Sequence, residues 1–230
     1  QAAGRIPMPG DARAAHASTL LAMPPGDPVA LQAYWFAGSR ESGPDVQIAA
    51  SQFDRATQQW TPASYVVNRH RAAAVLGFGL RRLGNPVAWR DGQGRTHLFV
   101  VATGLGGWAA GRILHLRQDA PQQAFRPLGV LPLSWLWNTS HLVRAMPLPL
   151  ADGGMVLPAY FELGTKYPVA LRFDAAGEFR GMMRMSQRGD LLQPTLLPRS
   201  ETEWVALLRD NRAQRQLRAV ISHDAGRSWE

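Results

Sequence analysis

The chain has 230 residues, 46% of them hydrophobic and 18% charged. That balance supports one sizeable core or two small ones and argues against disorder. No apolar run reaches the ~18 residues of a membrane-spanning helix, and the lack of cysteine excludes disulfides and thiolate metal sites.

The net charge of +8 is carried almost wholly by arginine, Lys166 being the only lysine. The arginines are spread through strand-like segments and form no basic run, so nucleic acid is not an expected partner. Composition leaves two other readings open. One is arginine-rich codon usage in a GC-rich genome. The other is recognition of anions, for which the planar guanidinium fork is well shaped. The chain opens on Gln1, which fits either removal of a signal peptide or an artificially trimmed N-terminus, and a periplasmic or secreted location is expected.

Strand-like runs recur along the chain: Val29–Phe36, Val46–Phe53, Thr96–Thr103, Arg112–Arg117, Met155–Phe161, Val169–Phe173, Trp204–Arg209 and Leu217–Ser222. Turn signals separate them, including Pro24–Asp27, Asp91–Gly94, Asp152–Gly154 and Ala175–Gly177. No long segment has a sustained helical period, so the expected class is all-β.

The most specific local signal is Ser222-His-Asp224-Ala-Gly226-Arg-Ser228-Trp229. A tight turn between strands needs a carboxylate to accept backbone N–H groups and a glycine where φ is positive. The tryptophan then folds under the turn. This is the Asp-box pattern, and it speaks to fold rather than to activity. Weaker echoes of strand, Asp and a following aromatic occur at Asp54, Asp119 and Asp174, so the four aspartates are 65, 55 and 50 residues apart. That spacing suits four-stranded propeller blades of roughly 40–50 residues with insertions. Residues 1–230 are therefore expected to form one β-propeller unit of about four blades, incomplete without a remainder beyond Glu230.

Several segments occur in an order that resembles the bacterial sialidase-related proteins with BNR, or Asp-box, repeats. They are His16-Ala-Ser-Thr-Leu, Tyr34-Trp-Phe-Ala-Gly-Ser-Arg40-Glu41, Asp45-Val-Gln-Ile, Gly84-Asn85-Pro86-Val87, Leu157-Pro158-Ala-Tyr160 and Leu192-Gln193-Pro194-Thr195. The resemblance implies a six-bladed sialidase-type propeller, of which this chain covers about the first four blades, with its site on the central axis. It also implies a substrate carboxylate held by arginines, an acidic acid/base group and a Tyr–Glu pair as nucleophile.

Carried onto this chain, Arg40 and Arg209 are the candidate carboxylate ligands, and Glu41 or Asp45 the candidate acid. A first arginine would fall where His16-Ala17-Ser18 stands, which makes His16 a substrate-binding candidate. Arg5-Ile6-Pro7 spells a sialidase motif but lies too early in the chain. The glutamate that would activate the tyrosine falls near Gln193, and the nucleophilic tyrosine and third arginine would lie beyond Glu230. Asn85 is read as a turn residue or a substrate hydrogen-bonding group.

Tyr160 and Glu162 alternate and share one face of a strand, as a structural pair or a functional one. His141 and the aromatic loop Trp135–Trp137 are further candidates. The histidine spacing makes zinc improbable, and no metal or cofactor is expected. The leading functional expectation is an exo-sialidase-like glycoside hydrolase acting on an acidic sugar or glycan. A non-catalytic carbohydrate- or protein-binding propeller is the alternative.

Overall fold

A computed structural model describes residues 4–10, 12–41, 43–135, 138–213 and 215–230. The strand β7 (Thr96–Thr103) sets the architecture, because every one of its side chains is buried. Successive strand residues point to opposite faces. Leu98, Val100 and Ala102 therefore enter one core, and Phe99 and Val101 enter another. A sheet apolar on both faces has to be sandwiched between two others, and the chain supplies them.

The strands form four antiparallel sheets arranged as propeller blades. The first contains β1 (Ala14–Ala22), β2 (Val29–Gly38), β3 (Gln47–Asp54), β4 (Gln59–Trp60) and β5 (Ser64–Val67). A short helix, α1 (Arg69–Leu76), is capped by Asn68 at its start and by left-handed Gly77 at its end. It leads into the second blade: β6 (Arg82–Arg90), β7, β8 (Arg112–Gln118) and β9 (Arg126–Val130). The third holds β10 (His141–Val143), β11 (Leu148–Pro149), β12 (Met155–Phe161), β13 (Tyr167–Phe173) and β14 (Phe179–Arg184). The fourth holds β15 (Leu191–Pro198), β16 (Trp204–Asp210) and β17 (Leu217–Ser222). No helix among the described residues is long and apolar enough to cross a membrane.

One core lies in each gap between neighbouring blades. Phe36, Ile48, Leu98 and Leu114 fill the first gap; Phe99, Leu157, Leu171 and Phe173 the second; Val156, Ala170, Trp204 and Leu208 the third. The turns at Asp54, Asp119 and Asp174 fall between the third and fourth strands of their blades, and the Asp224 turn follows β17, the third strand of the last. In the last one, the Asp224 carboxylate accepts the Arg227 and Ser228 amides and the Ser228 hydroxyl. Those bonds, the Ser228 hydroxyl first, hold its pKa down to about 2. The Trp229 indole donates to Gly226 O, and Ile221 and Glu230 exchange backbone bonds across the turn. Asp54 and Asp174 accept turn amides in the same way. Asp119 instead closes its turn through Arg117 and Arg126.

A buried polar chain ties the second blade to the third. The Asp91 carboxylate can only accept, so His97 Nε2 carries the proton at 3.0 Å from it. His97 Nδ1 is then the acceptor, and His115 Nε2–H donates to it at 2.8 Å. Arg95 holds Asp91 and donates to Ala176 O in the next blade. Gly177 closes over the imidazole so tightly that a Cβ there would lie 2.1 Å from His97 Cε1. Burial, reinforced by Arg117, pushes His115 down to about 3 and lowers His97. Burial alone would raise Asp91, but hydrogen bonds from His97 and Arg95 outweigh it and hold the carboxyl low.

Both histidines bind protons more weakly in the fold than in the unfolded chain. Below their ordinary pKa of ~6.5 the unfolded state takes up more protons, so stability falls as pH falls towards about 3. Asp91, also depressed, adds to the loss on further acidification. The melting temperature is therefore expected to fall from pH 7 to pH 4, and more shallowly in His115→Phe. Equal slopes in the two proteins would assign the acid lability elsewhere. In the last blade, Gly226 has φ 79° and a Cβ there would meet Trp204 at 2.5 Å. Gly226→Ala should cost about 2–4 kcal/mol in urea unfolding, from backbone strain plus overpacking.

Candidate functional site

Each first strand breaks at its cleft end. The pairing of β1 with β2 shifts between His16 and Thr19, that of β6 with β7 between Gly84 and Val87, and that of β15 with β16 between Leu192 and Thr195. Each break holds one non-glycine residue at positive φ: Ala17 at 51°, Asn85 at 44° and Gln193 at 50°. In the third blade the first strand is split outright into β10 and β11, with Arg144 between them. Bulges of this kind bend a strand and re-aim its side chains. Here they turn residues towards the axis.

The ends of the second strands face these bulges and supply the opposite wall. Together they enclose a cleft of about 270 Å³. The first strands contribute Asn85, Arg144, Gln193 and the apolar Leu142 and Leu192; the second strands and the loops after them contribute Phe36, Glu41, Trp108, Tyr160, Glu162, Arg209 and Asn211. Trp108 reaches across because residue 84 is glycine; a Cβ there would lie 2.5 Å from its ring. Two larger hollows, of about 320 and 380 Å³, lie between α1 and β9 and beside the first blade. Neither has a carboxylate among its lining residues.

Glu41, Asn85 and Arg209 are thus brought together. His16 stands at the rim, its ring stacked on Phe36 with centroids 5.4 Å apart and its Nε2 3.9 Å from Glu41 Oε2. Arg40 and Asp45 are not among the residues lining the cleft. The Asp45 carboxylate accepts the Ser39 amide at 2.6 Å and its hydroxyl at 2.9 Å, closing the turn between β2 and β3. Those bonds hold its pKa below the usual carboxylate range, opposite to what a general acid requires. Asp45 thus stands as a turn residue beside the cleft rather than in its lining. Asp210 does not pair with the neighbouring Arg209; its buried carboxylate takes Arg212 and Arg218 instead.

Arg144, Trp108 and Asn211 were not singled out by the sequence. Arg144 lies in a strand interruption that has no turn motif. Neither Arg144 nor Arg209 makes a hydrogen bond or ion pair with a described residue, whereas Arg95, Arg117, Arg126, Arg180, Arg199, Arg212 and Arg218 all do. Their charges reach the cleft through space. Burial raises the Tyr160 phenol; the Gln193 side chain, which hydrogen-bonds it, and Arg144 and Arg209 oppose that rise, while Glu162 adds to it. Burial likewise raises the Glu162 carboxyl, with Lys166 and Arg209 partly opposing. The pair expected at Tyr160 and Glu162 is therefore linked by charge inside the cleft.

His141 is buried, with Nδ1 3.1 Å from Thr139 O and burial lowering its pKa. It does not line the cleft. Trp135 is exposed, and Trp137 lies outside the described residues. Ile6 of the Arg-Ile-Pro segment packs on the outer face of the first blade, beside Trp35. No group of three or more His, Cys, Asp or Glu residues suited to a metal occurs among the described residues.

A stack of blades whose cleft is lined by Glu41, Arg144, Glu162 and Arg209 defines a β-propeller. The family model for the BNR repeat-like domain matches residues 30–230, and the chain belongs to that family. No curated protein sequence matches it. Among solved structures, a Hadza microbial sialidase superposes with a TM-score of 0.67 at 16% identity, over 86% of this chain and 43% of its own. The Trypanosoma rangeli sialidase in complex with sialic acid gives 0.71 at 12% identity, over 99% of this chain and 40% of its own. A protein of unknown function from Dyadobacter fermentans gives 0.71 at 11%, over 98% of this chain and 70% of its own. The chain thus spans about 40% of the sialidases it resembles, and its four blades are an all-β, sialidase-type propeller arrangement.

The charge coupling in the cleft has a measurable sign. Arg209 lowers the Glu162 pKa, so Arg209→Ala should raise it further. A carboxyl ¹³C titration of labelled protein reads this directly. An unchanged Glu162 midpoint would show that the two do not share the cleft.

Proposed function

We propose that this propeller is a sialidase-like glycoside hydrolase acting on an acidic sugar. The observation that carries the proposal is that Arg144 and Arg209, which make no hydrogen bond or ion pair with a described residue, line one cleft with Glu41, Glu162 and Tyr160. Two solvent-exposed guanidinium groups beside two carboxylates suit a ligand that brings its own anion. The sialidase neighbours support the choice of sugar, since one is solved with sialic acid and one with the inhibitor DANA.

In this reading Arg144 and Arg209 hold the sugar carboxylate. Glu162, whose ionisation burial opposes, gives its proton to the leaving glycosidic oxygen as the bond to the anomeric carbon breaks. A water molecule adds its oxygen to that carbon and passes a proton to Glu41 on the opposite wall, so one water is consumed per bond cleaved. Tyr160, positioned by Gln193, stabilises the positive charge that develops on the ring. Arg40 and Asp45 shape the turn that presents Glu41.

The test is hydrolysis of fluorogenic sialosides and uronides by the purified full-length protein. Arg209→Ala is expected to raise KM ~10–100-fold, and Glu162→Gln to lower kcat ~10²–10⁴-fold. A wild-type protein that binds these sugars without cleaving them would instead be a carbohydrate-binding propeller. One that neither binds nor cleaves them would overturn the proposal.

A further inference from the structure

The two ends of the propeller differ in character. Glu41, Trp108, Glu162 and Asn211 stand in the connections from second to third strands, and all four line the cleft. Because the strands alternate in direction, the cleft end also holds the connections that run from each blade to the next. Trp135, Leu105, Leu217, Val75 and Leu163 are the most exposed large apolar side chains among the described residues, and all stand at that end. The turns at the other end hold none of the exposed large apolar side chains among the described residues. Those turns hold or adjoin carboxylates instead, as at Asp27, Asp54, Asp91, Asp119, Asp152 and Asp174.

Around the second blade the cleft end forms one platform, built from connections 68–81 (which contains α1), 104–111 and 131–140. Gly104 lies against Gly79, so that a Cβ there would be 3.3 Å from the Gly79 carbonyl oxygen. The Ser140 hydroxyl donates to Ala109 O. Arg112 donates from Nε to Asn138 O at 3.2 Å, with its guanidinium 5.1 Å over the Phe78 ring. These connections contain Arg69, His70, Arg71 and Arg81 and not one Asp or Glu. Arg71 and Arg81 are exposed. Val75, Leu105 and Trp135 project from the same three connections with 64%, 76% and 93% of their surface in water.

Exposed apolar groups of this size mark contact surfaces, and their mixture with cations selects the kind of contact. An anionic bilayer attracts arginine to its phosphates and accepts apolar side chains below them. Tryptophan is favoured at headgroup depth, and arginine can lay its stem along apolar surface while its head stays with the charge. Leu105 lies in the run Gly104-Leu105-Gly106-Gly107, so its neighbours in sequence have no side chains to shield it. Nucleic acid would satisfy the arginines but leave three apolar side chains in water.

We propose that the cleft end of the second blade docks on an anionic phospholipid surface, with Arg71 and Arg81 among the headgroups and Val75, Leu105 and Trp135 sunk into the interface. The protein lies on the membrane in this account and does not cross it. The cleft opens at the same end, so docking turns it towards the surface. The inference stands apart from the hydrolase reading, and its test measures no hydrolysis.

The test is co-sedimentation of the purified full-length protein with vesicles of phosphatidylcholine alone, or of phosphatidylcholine and phosphatidylserine in equal parts. Wild type should bind the phosphatidylserine vesicles more tightly, and less so as salt rises. Arg71→Glu/Arg81→Glu should weaken that binding at least ~25-fold, at about fivefold for each arginine. Leu105→Ser/Trp135→Ser should weaken it at least ~10-fold. All four side chains are exposed, so both variants should melt with the wild type; if one melts lower, the other decides. Equal binding to both vesicles, or none to either, overturns the proposal. So does a Leu105→Ser/Trp135→Ser variant that binds like wild type, since the attraction would then be that of any polyanion, nucleic acid included. Light scattering that shows a wild-type dimer dispersed by Leu105→Ser/Trp135→Ser would assign the platform to a second copy of the chain and overturn the proposal as well.

Discussion

The structure depends on one constraint: the inner strands of the second and third blades, β7, β12 and β13 among them, are apolar on both sides and must be covered twice. Strand alternation divides their side chains between two cores, so β7 sends Leu98, Val100 and Ala102 one way and Phe99 and Val101 the other. Sheets packed face to face need about 10 Å between them. Stacking around an axis satisfies every interior face at once. The same geometry gathers the cleft ends of all four first strands in one place.

That convergence is what makes a site possible. A straight first strand would direct its side chains only into the gaps between blades. Breaks at Ala17, Asn85 and Gln193, and the outright split at Arg144, turn the chain towards the axis instead. The second strands then deliver Glu41, Tyr160, Glu162 and Arg209 from the facing side. On the opposite end the chain is spent on rigidity. Asp224 knots its turn, and the Asp91–His97–His115 chain locks two blades together.

Much of this was legible in the sequence, for identifiable reasons. Turn chemistry is local, so Asp54, Asp119, Asp174 and Asp224 could be read as blade markers from their neighbours alone. The second and third strands could be read because β-branched and aromatic residues crowd them, as in Thr96–Thr103. Several outer and first strands could not. β1 is rich in alanine, while β6 and β15 contain Gly, Asn, Gln and Pro, residues that normally argue against a strand interior. Those same residues make the bulges. The site was partly visible for the same reason: Glu41, Asn85 and Arg209 stand in recognisable segments, but Arg144 sits in an unmarked interruption. Asp45 and Glu41 are close in sequence, and only the fold shows that one is spent on the Ser39 turn while the other faces the cleft.

Arg144 and Arg209 are the feature on which the functional reading turns, because two solvent-accessible guanidinium groups lining one cleft suit an anionic ligand. A crystal structure of the full-length protein soaked with N-acetylneuraminic acid addresses this most directly. The sugar carboxylate is expected within about 3 Å of both guanidinium groups, with the ring between Asn85 and Tyr160. A sugar bound elsewhere, or an axial cleft that stays empty at saturating ligand, would contradict it.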